Sequence, residues 1–194
     1  MMTTRAEIPV GNGVPAFGNT VWNDGSGLGV FGLLAAAFRY PAPASLEYLE
    51  AGVRTMPRGQ ARRALEHFTR RIKAMPLEGW EELYTRTLDL APLVAPYVGY
   101  QVWGDAYQRG EFMAALNGAY QALGLETEGE LPDHLAPVLT YLQRAESPMS
   151  ELQQALEPAL KAMDKTLRTL DPKNPYLSLL EAVTHALETR RGSR

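Results

Sequence analysis

Residues 148–170 read PMSELQQALEPALKAMDKTLRTL, and the spacing of their apolar members decides the fold class. Leu152, Leu156, Leu160, Met163, Leu167 and Leu170 recur at intervals of 4, 4, 3, 4 and 3 residues. An α-helix with 3.6 residues per turn gathers such positions into one stripe, whereas a half-buried strand would alternate every second residue. Pro148 stands at the start of the run, where its missing N–H costs little, and Pro158 inside it predicts a kink. The same signature extends outward in both directions. Leu135, Val138, Leu139 and Leu142 form a stripe upstream, and Ala61, Leu65, Phe68, Ile72 and Met75 recur at 4, 3, 4 and 3.

Helical spacing predicts elements over about 28–39, 43–55, 58–75, 78–88, 94–103, 105–124, 132–145, 148–170 and 175–190. The pairs Tyr40-Pro41, Met56-Pro57, Met75-Pro76, Leu131-Pro132, Ser147-Pro148 and Asn174-Pro175 punctuate those divisions, and Asp105 and Asp171 are candidate caps. No run of four or more residues alternates with β-branched enrichment, and no solenoid period recurs. The expected fold is therefore all-α, a single-domain compact bundle of about eight to ten helices. Its 194 residues suffice for one core, since a chain of this length buries roughly 70% of its unfolded surface.

Residues 1–27 differ from the rest. Their glycines, prolines and asparagines break any periodicity and leave Phe17, Val21 and Trp22 as isolated apolar anchors. This predicts an irregular N-terminal arm followed by a helical domain over 28–194. The spaced anchors also suggest that the arm folds back into a groove of its own or a neighbouring molecule.

Composition excludes several function classes. With no cysteine there is no disulfide, thiolate zinc site, iron–sulfur cluster or cysteine nucleophile. His67, His134 and His185 are too far apart in sequence for a local metal pair, so no metal ligand and no catalytic residue is assigned. The net charge of −3 argues against a nucleic-acid partner. Its distribution is uneven: residues 54–73 hold seven basic side chains against Glu66, +6 in a chain that is −9 elsewhere. The apolar stripe within that stretch makes it an amphipathic helix with a solvated basic face, or else a phosphate or partner site. The longest apolar stretch, Leu28 to Phe38, spans 11 residues and is too short to cross a membrane. It lacks the short basic flank of a secretory signal, so a cytoplasmic location is expected.

Gly27-Leu28-Gly29-Val30-Phe31-Gly32 spells G-x-G-x-x-G, but a dinucleotide site also needs a strand before it and a βαβ unit around it. Turn formers precede it and helices follow, which favours flexible entry into the first helix over a nucleotide loop. Glu78, Glu81 and Glu82, and then Glu126, Glu128, Glu130 and Asp133, gather near helix starts. Acids there complement the helix dipole, and they also suit docking of a basic peptide. Trp80, Tyr84, Tyr97, Tyr100, Trp103, Tyr107 and Tyr120 make the middle of the chain dense in aromatics, the stuff of cores and of peptide anchors alike.

Residues 79–90, GWEELYTRTLDL, resemble the W-x-E-L-Y-T-R-T-F-D-L signature of the nitrate reductase delta-subunit family of molybdenum cofactor assembly chaperones, within the wider TorD/DmsD class. The resemblance continues in order through Pro92, Pro96-Tyr97, Trp103-Gly104-Asp105 with Arg109-Gly110, Tyr120 to Leu125, and Glu130-Leu131-Pro132-Asp133-His134-Leu135. Leu33-Leu34 to Pro41 and Asn174-Pro175-Tyr176 agree too, so it covers about residues 28–185. Two places depart from the pattern. Leu88 replaces a phenylalanine, and Leu93-Val94-Ala95 stands where a more polar stretch is common.

The resemblance implies a cytoplasmic, non-enzymatic chaperone without a cofactor of its own. Its partner would be the N-terminal or signal-like segment of a molybdoenzyme catalytic subunit, held until the molybdenum cofactor is inserted. Nitrate reductase is the favoured client, and the dimethyl sulfoxide, polysulfide and other oxyanion reductases are the alternatives. The resemblance implies a peptide-binding surface of Trp80, Tyr84, Asp89, Tyr97, Arg109, Asp133 and His134. Arg86 and Arg109 have a second reading, as internal clamps to Asp89 or Asp105. A homodimer is compatible with all of this.

Overall fold

A computed structural model describes residues 29–90 and 92–192, and the fold is all-α. Nine helices follow one another among the described residues: α1 (Val30–Ala37), α2 (Ser45–Thr55), α3 (Gln60–Lys73), α4 (Leu77–Leu88), α5 (Val98–Trp103), α6 (Tyr107–Ala122), α7 (Leu135–Arg144), α8 (Ser150–Leu170) and α9 (Tyr176–Gly192). Each coincides with one predicted stretch. The arm expected over residues 1–27, with Phe17, Val21, Trp22 and Gly27, lies outside the described residues.

Helix α1 is apolar on nearly every side, burying Phe31, Leu33, Leu34, Ala35 and Ala37. A helix without a polar face belongs inside a bundle, and α1 packs against α7, α9 and α2. Gly52 makes the α2 contact possible, because a methyl group there would sit 2.4 Å from Cδ1 of Leu33. Helix α8 buries Leu152, Leu156, Leu160, Met163 and Leu167 and leaves Leu170 exposed in its last turn. It runs through Pro158, which faces outward, without a break.

The basic helix α3 lies along α9 and buries Ala64, Leu65, Phe68, Thr69 and Ile72. Its outer face is partly self-neutralised: Arg62 pairs with Glu66 and donates to the Met56 carbonyl, and Lys73 reaches Glu50 at 2.9 Å.

Three local expectations are corrected. The 94–103 stretch becomes helical only at Val98, because Pro92 and Pro96 lack N–H groups and Tyr97 pairs instead with His134 in an isolated antiparallel bridge. The same bridge delays α7 to Leu135. Asp105 caps nothing, since Ala106 precedes α6 and no side chain caps that helix. Asp171 closes α8 through its backbone N–H, 2.8 Å from the Leu167 carbonyl. Asn174 caps α9, its Oδ1 accepting from the Tyr176 N–H at 3.0 Å.

The described part of the glycine motif, Gly29 to Gly32, enters α1 directly, with no strand among the described residues. Residues 29–50 therefore lack the βαβ setting that a dinucleotide loop needs. No helix of the described residues is long and apolar enough to cross a membrane.

Candidate functional site

The segment from Trp80 to Asp89 is one helix face and its end. Trp80, Leu83, Tyr84, Thr87 and Leu88, spaced 3, 1, 3 and 1, are the buried positions of α4. Trp80 is interior: its indole N–H donates to the Tyr176 hydroxyl at 3.0 Å and its ring meets Phe68 edge-on. Tyr84 is also buried, with its hydroxyl donating to the Phe38 carbonyl at 3.3 Å and Tyr40 against its ring. On the outer side Arg86 approaches Asp171 at 3.7 Å, so its carboxylate partner is Asp171 and not Asp89. Asp89 ends the helix in an exposed position. Burial, and then the charges of Glu130 and Asp89, push the Tyr84 phenol far above its ordinary range.

A second group forms where two loops meet. The Val98 N–H donates to the Asp133 carbonyl at 2.7 Å, and the Leu135 N–H to the Pro96 carbonyl at 2.9 Å. These bonds tie the backbone of Tyr97 to that of His134. Asp133 is 0% exposed, and Arg109 on α6 grips it with a fork, Nε to Oδ2 at 2.9 Å and Nη2 to Oδ1 at 3.4 Å. Asp105, one turn before, is a weaker partner at 3.5 Å. The guanidinium also lies 5.5 Å from the Tyr97 ring centre and 5.3 Å from that of Tyr100, within cation–π range of both.

His134 is 2% exposed and meets Tyr97 edge-on at 5.3 Å. It is the N-cap of α7, its Nδ1 accepting the Ala136 N–H at 3.1 Å. Accepting a hydrogen bond at Nδ1 requires that nitrogen to be unprotonated. Burial, assisted by the Arg39 charge, pushes the imidazole pKa down to about 4, so the ring is neutral at physiological pH.

The loop between α6 and α7 carries the acidic cluster. Glu128 at φ 56° and Gly129 at φ 89° turn it sharply, Arg39 pairs with Glu128, and the Tyr120 hydroxyl holds the Pro132 carbonyl at 2.7 Å. This leaves Glu130 beside Asp89. Burial and the Asp89 charge raise the Glu130 carboxyl above its ordinary value, opposed by Arg39. The Tyr97 phenol is raised as well, by burial and then by the Glu130, Asp133 and Asp89 charges.

Six of the seven residues read from the sequence thus share one neighbourhood: Tyr84, Asp89, Tyr97, Arg109, Asp133 and His134. Trp80 stands deeper, against α3 and α9. Only Asp89 is fully at the surface, while Tyr97 and Arg109 are half-buried. The accessible rim is completed by residues outside that set: Tyr40, Leu90, Tyr100 at 41% exposure, Glu130 and Leu131 at 47%. Tyr100, three residues after Tyr97, carried the local spacing that places both at one helix start. Arg39 and Tyr40 meet partners far along the chain and left no local signal. The rim has an apolar, aromatic floor and exposed carboxylates, suited to an apolar segment with basic residues. Among the described residues no group of His, Asp and Glu is placed to hold a metal ion. A separate cavity of about 150 Å³, lined by Leu142, Leu152, Leu156 and Leu187, lies at the other end of α7.

The sequence model of the family described as nitrate reductase delta subunit matches residues 55–174, which hold α3 to α8 and all seven of these positions. The chain is 28% identical over 163 residues to the probable nitrate reductase molybdenum cofactor assembly chaperone NarJ of Bacillus subtilis (strain 168), covering 81% of this chain and 88% of that protein.

Proposed function

The chain belongs to the nitrate reductase delta subunit family, and on that premise we propose that it is a non-enzymatic assembly chaperone of the cytoplasm. It binds the N-terminal segment of a nitrate reductase catalytic subunit and holds that apoprotein while the molybdenum cofactor is inserted. The observation that carries this reading is the rim around Tyr97: exposed aromatic and apolar side chains beside Asp89 and Glu130, over a hydrogen-bonded support. Apolar anchors of the client would lie on Tyr97, Tyr100 and Leu131, and its basic residues would pair with the two carboxylates.

Titration calorimetry of the full chain with a synthetic peptide of the first 30 residues of the nitrate reductase catalytic subunit from the same genome tests this. The expected outcome is 1:1 binding that weakens at least tenfold in the Asp89→Lys, Glu130→Lys double variant, a loss of about 1.4 kcal/mol or more. Binding that ignores both charge reversals would remove this surface from the mechanism. Equal or tighter binding of the corresponding dimethyl sulfoxide reductase peptide would reassign the client.

A further inference from the structure

Asp133 and His134 stand side by side within the proposed site, yet Asp133 offers a ligand no free oxygen and His134 is only 2% exposed. Both oxygens of Asp133 are taken by Arg109, and the carboxylate has no exposed surface. His134 spends Nδ1 on the Ala136 N–H and its ring packs on Tyr97. A peptide that reached Asp133 would have to displace Arg109, whose side chain is itself only 13% exposed.

What the pair does is set the position of other groups. The fork fixes the plane of the guanidinium, a constraint that a lysine ammonium in the same place would not impose. That plane rests against Tyr97 and Tyr100. Between the two tyrosines the backbone runs hard against the carboxylate: a methyl group on Gly99 would stand 2.8 Å from Oδ2 of Asp133 and 3.0 Å from Cγ of Arg109. Tyr97 is therefore held through its backbone by the bridge to residues 133–135 and through its ring by His134 and Arg109.

We infer that Asp133 and His134 are positioning residues: they set Arg109 and the 96–98 backbone, these set the rings of Tyr97 and Tyr100, and the rings meet an apolar, basic peptide. The inference rests on the proposed function and divides the acidic residues of the site by duty. Glu130 and Asp89, at the surface, receive the client's cations. Asp133 receives none.

Binding cycles on the full chain separate these duties. The probes are the 30-residue peptide above and the same peptide with every Lys and Arg replaced by Gln. Glu130→Gln is expected to weaken the basic peptide about tenfold and the neutral one less than threefold. Asp133→Asn is expected to weaken both by the same factor, at least tenfold, and to add little to Tyr100→Ala. Arg109→Lys, which keeps the charge and loses the fork, is expected to behave like Asp133→Asn. An Asp133→Asn effect confined to the basic peptide, or full affinity in Arg109→Lys, would overturn the inference.

Amide hydrogen exchange gives a readout without any peptide. Exchange at Val98 and Leu135 should rise at least tenfold in Arg109→Lys, with Leu160 on α8 unchanged, and unchanged rates at the first two sites would also overturn it. Absence of peptide binding by the unsubstituted chain would count against the proposed function, while the exchange rates would still judge the positioning.

Discussion

Burial of a single imidazole gives the molecule a pH dependence of definite sign. His134 has a pKa of about 4 when folded against 6.5 for an ordinary histidine, so between those values the unfolded chain binds the extra proton. Stability is complete above about pH 6.5 and falls as the pH drops towards 4, by roughly 3 kcal/mol across the window. His134→Asn keeps an acceptor for the Ala136 N–H and removes the titration. Urea unfolding at pH 7 and pH 5 should show a smaller loss in this variant than in the unsubstituted chain. The difference between the two chains isolates His134, because the raised Glu130 carboxyl works in the opposite sense. Equal losses would mean that the ring is not held neutral by the fold. Breaking the neighbouring ion pair has a cost of its own. Asp133→Asn takes the closer of two carboxylate partners from the half-buried Arg109 guanidinium and should destabilise the chain by about 1.5–3 kcal/mol, read from the urea midpoint.

Between elements, the polar junction of α4 with the start of α9 is the joint to test. Asn174 caps α9, donates to Thr87 Oγ1 at 2.9 Å and to Asp171 Oδ2 at 3.1 Å, and is itself buried. Asn174→Ala should cost about 1–3 kcal/mol, because it uncaps a helix and strands buried partners. Arg70→Ala, on the outer face of α3, should change stability by less than about 0.5 kcal/mol in the same urea titration.

At this scale much was legible in the sequence. The stripe from Leu152 to Leu167 and the prolines at helix starts are local signals, and local signals set where each helix lies. The bridge between Tyr97 and His134 was not legible, since it joins two single residues of loops far apart in the chain. Nor was the main partner of Arg109, although the expected Asp105 is a second one. Spacing favours Asp105, one turn away on the chain, whereas the fold gives the fork to Asp133 because a buried carboxylate has no water to turn to. Of the two candidate caps, Asp171 ends α8 whereas Asp105 caps nothing, because caps depend on where the chain turns and α6 starts only after Ala106.

Across the whole molecule, the net charge of −3 is the difference between +6 over residues 54–73 and −9 over the rest of the chain, of which Asp89 and Glu130 stand on the rim. If the rim receives a basic segment, peptide affinity should fall as ionic strength rises from about 0.1 M to 1 M, where the screening length shrinks from about 10 Å to 3 Å. An affinity that rises with salt would instead make apolar contact the main attraction. The neighbourhood of Asp133 was marked by motif resemblance as one site, while the division into buried support and exposed rim depends on burial, which no spacing reveals. The proposed function has the chain hold a catalytic subunit before its cofactor arrives. It is tested most directly by mixing the purified chain with purified nitrate reductase catalytic subunit in cofactor-free and cofactor-loaded forms and measuring complex mass by light scattering after gel filtration. A 1:1 complex with the cofactor-free form and none with the loaded form is the predicted result; equal binding of both forms, or of neither, would contradict it.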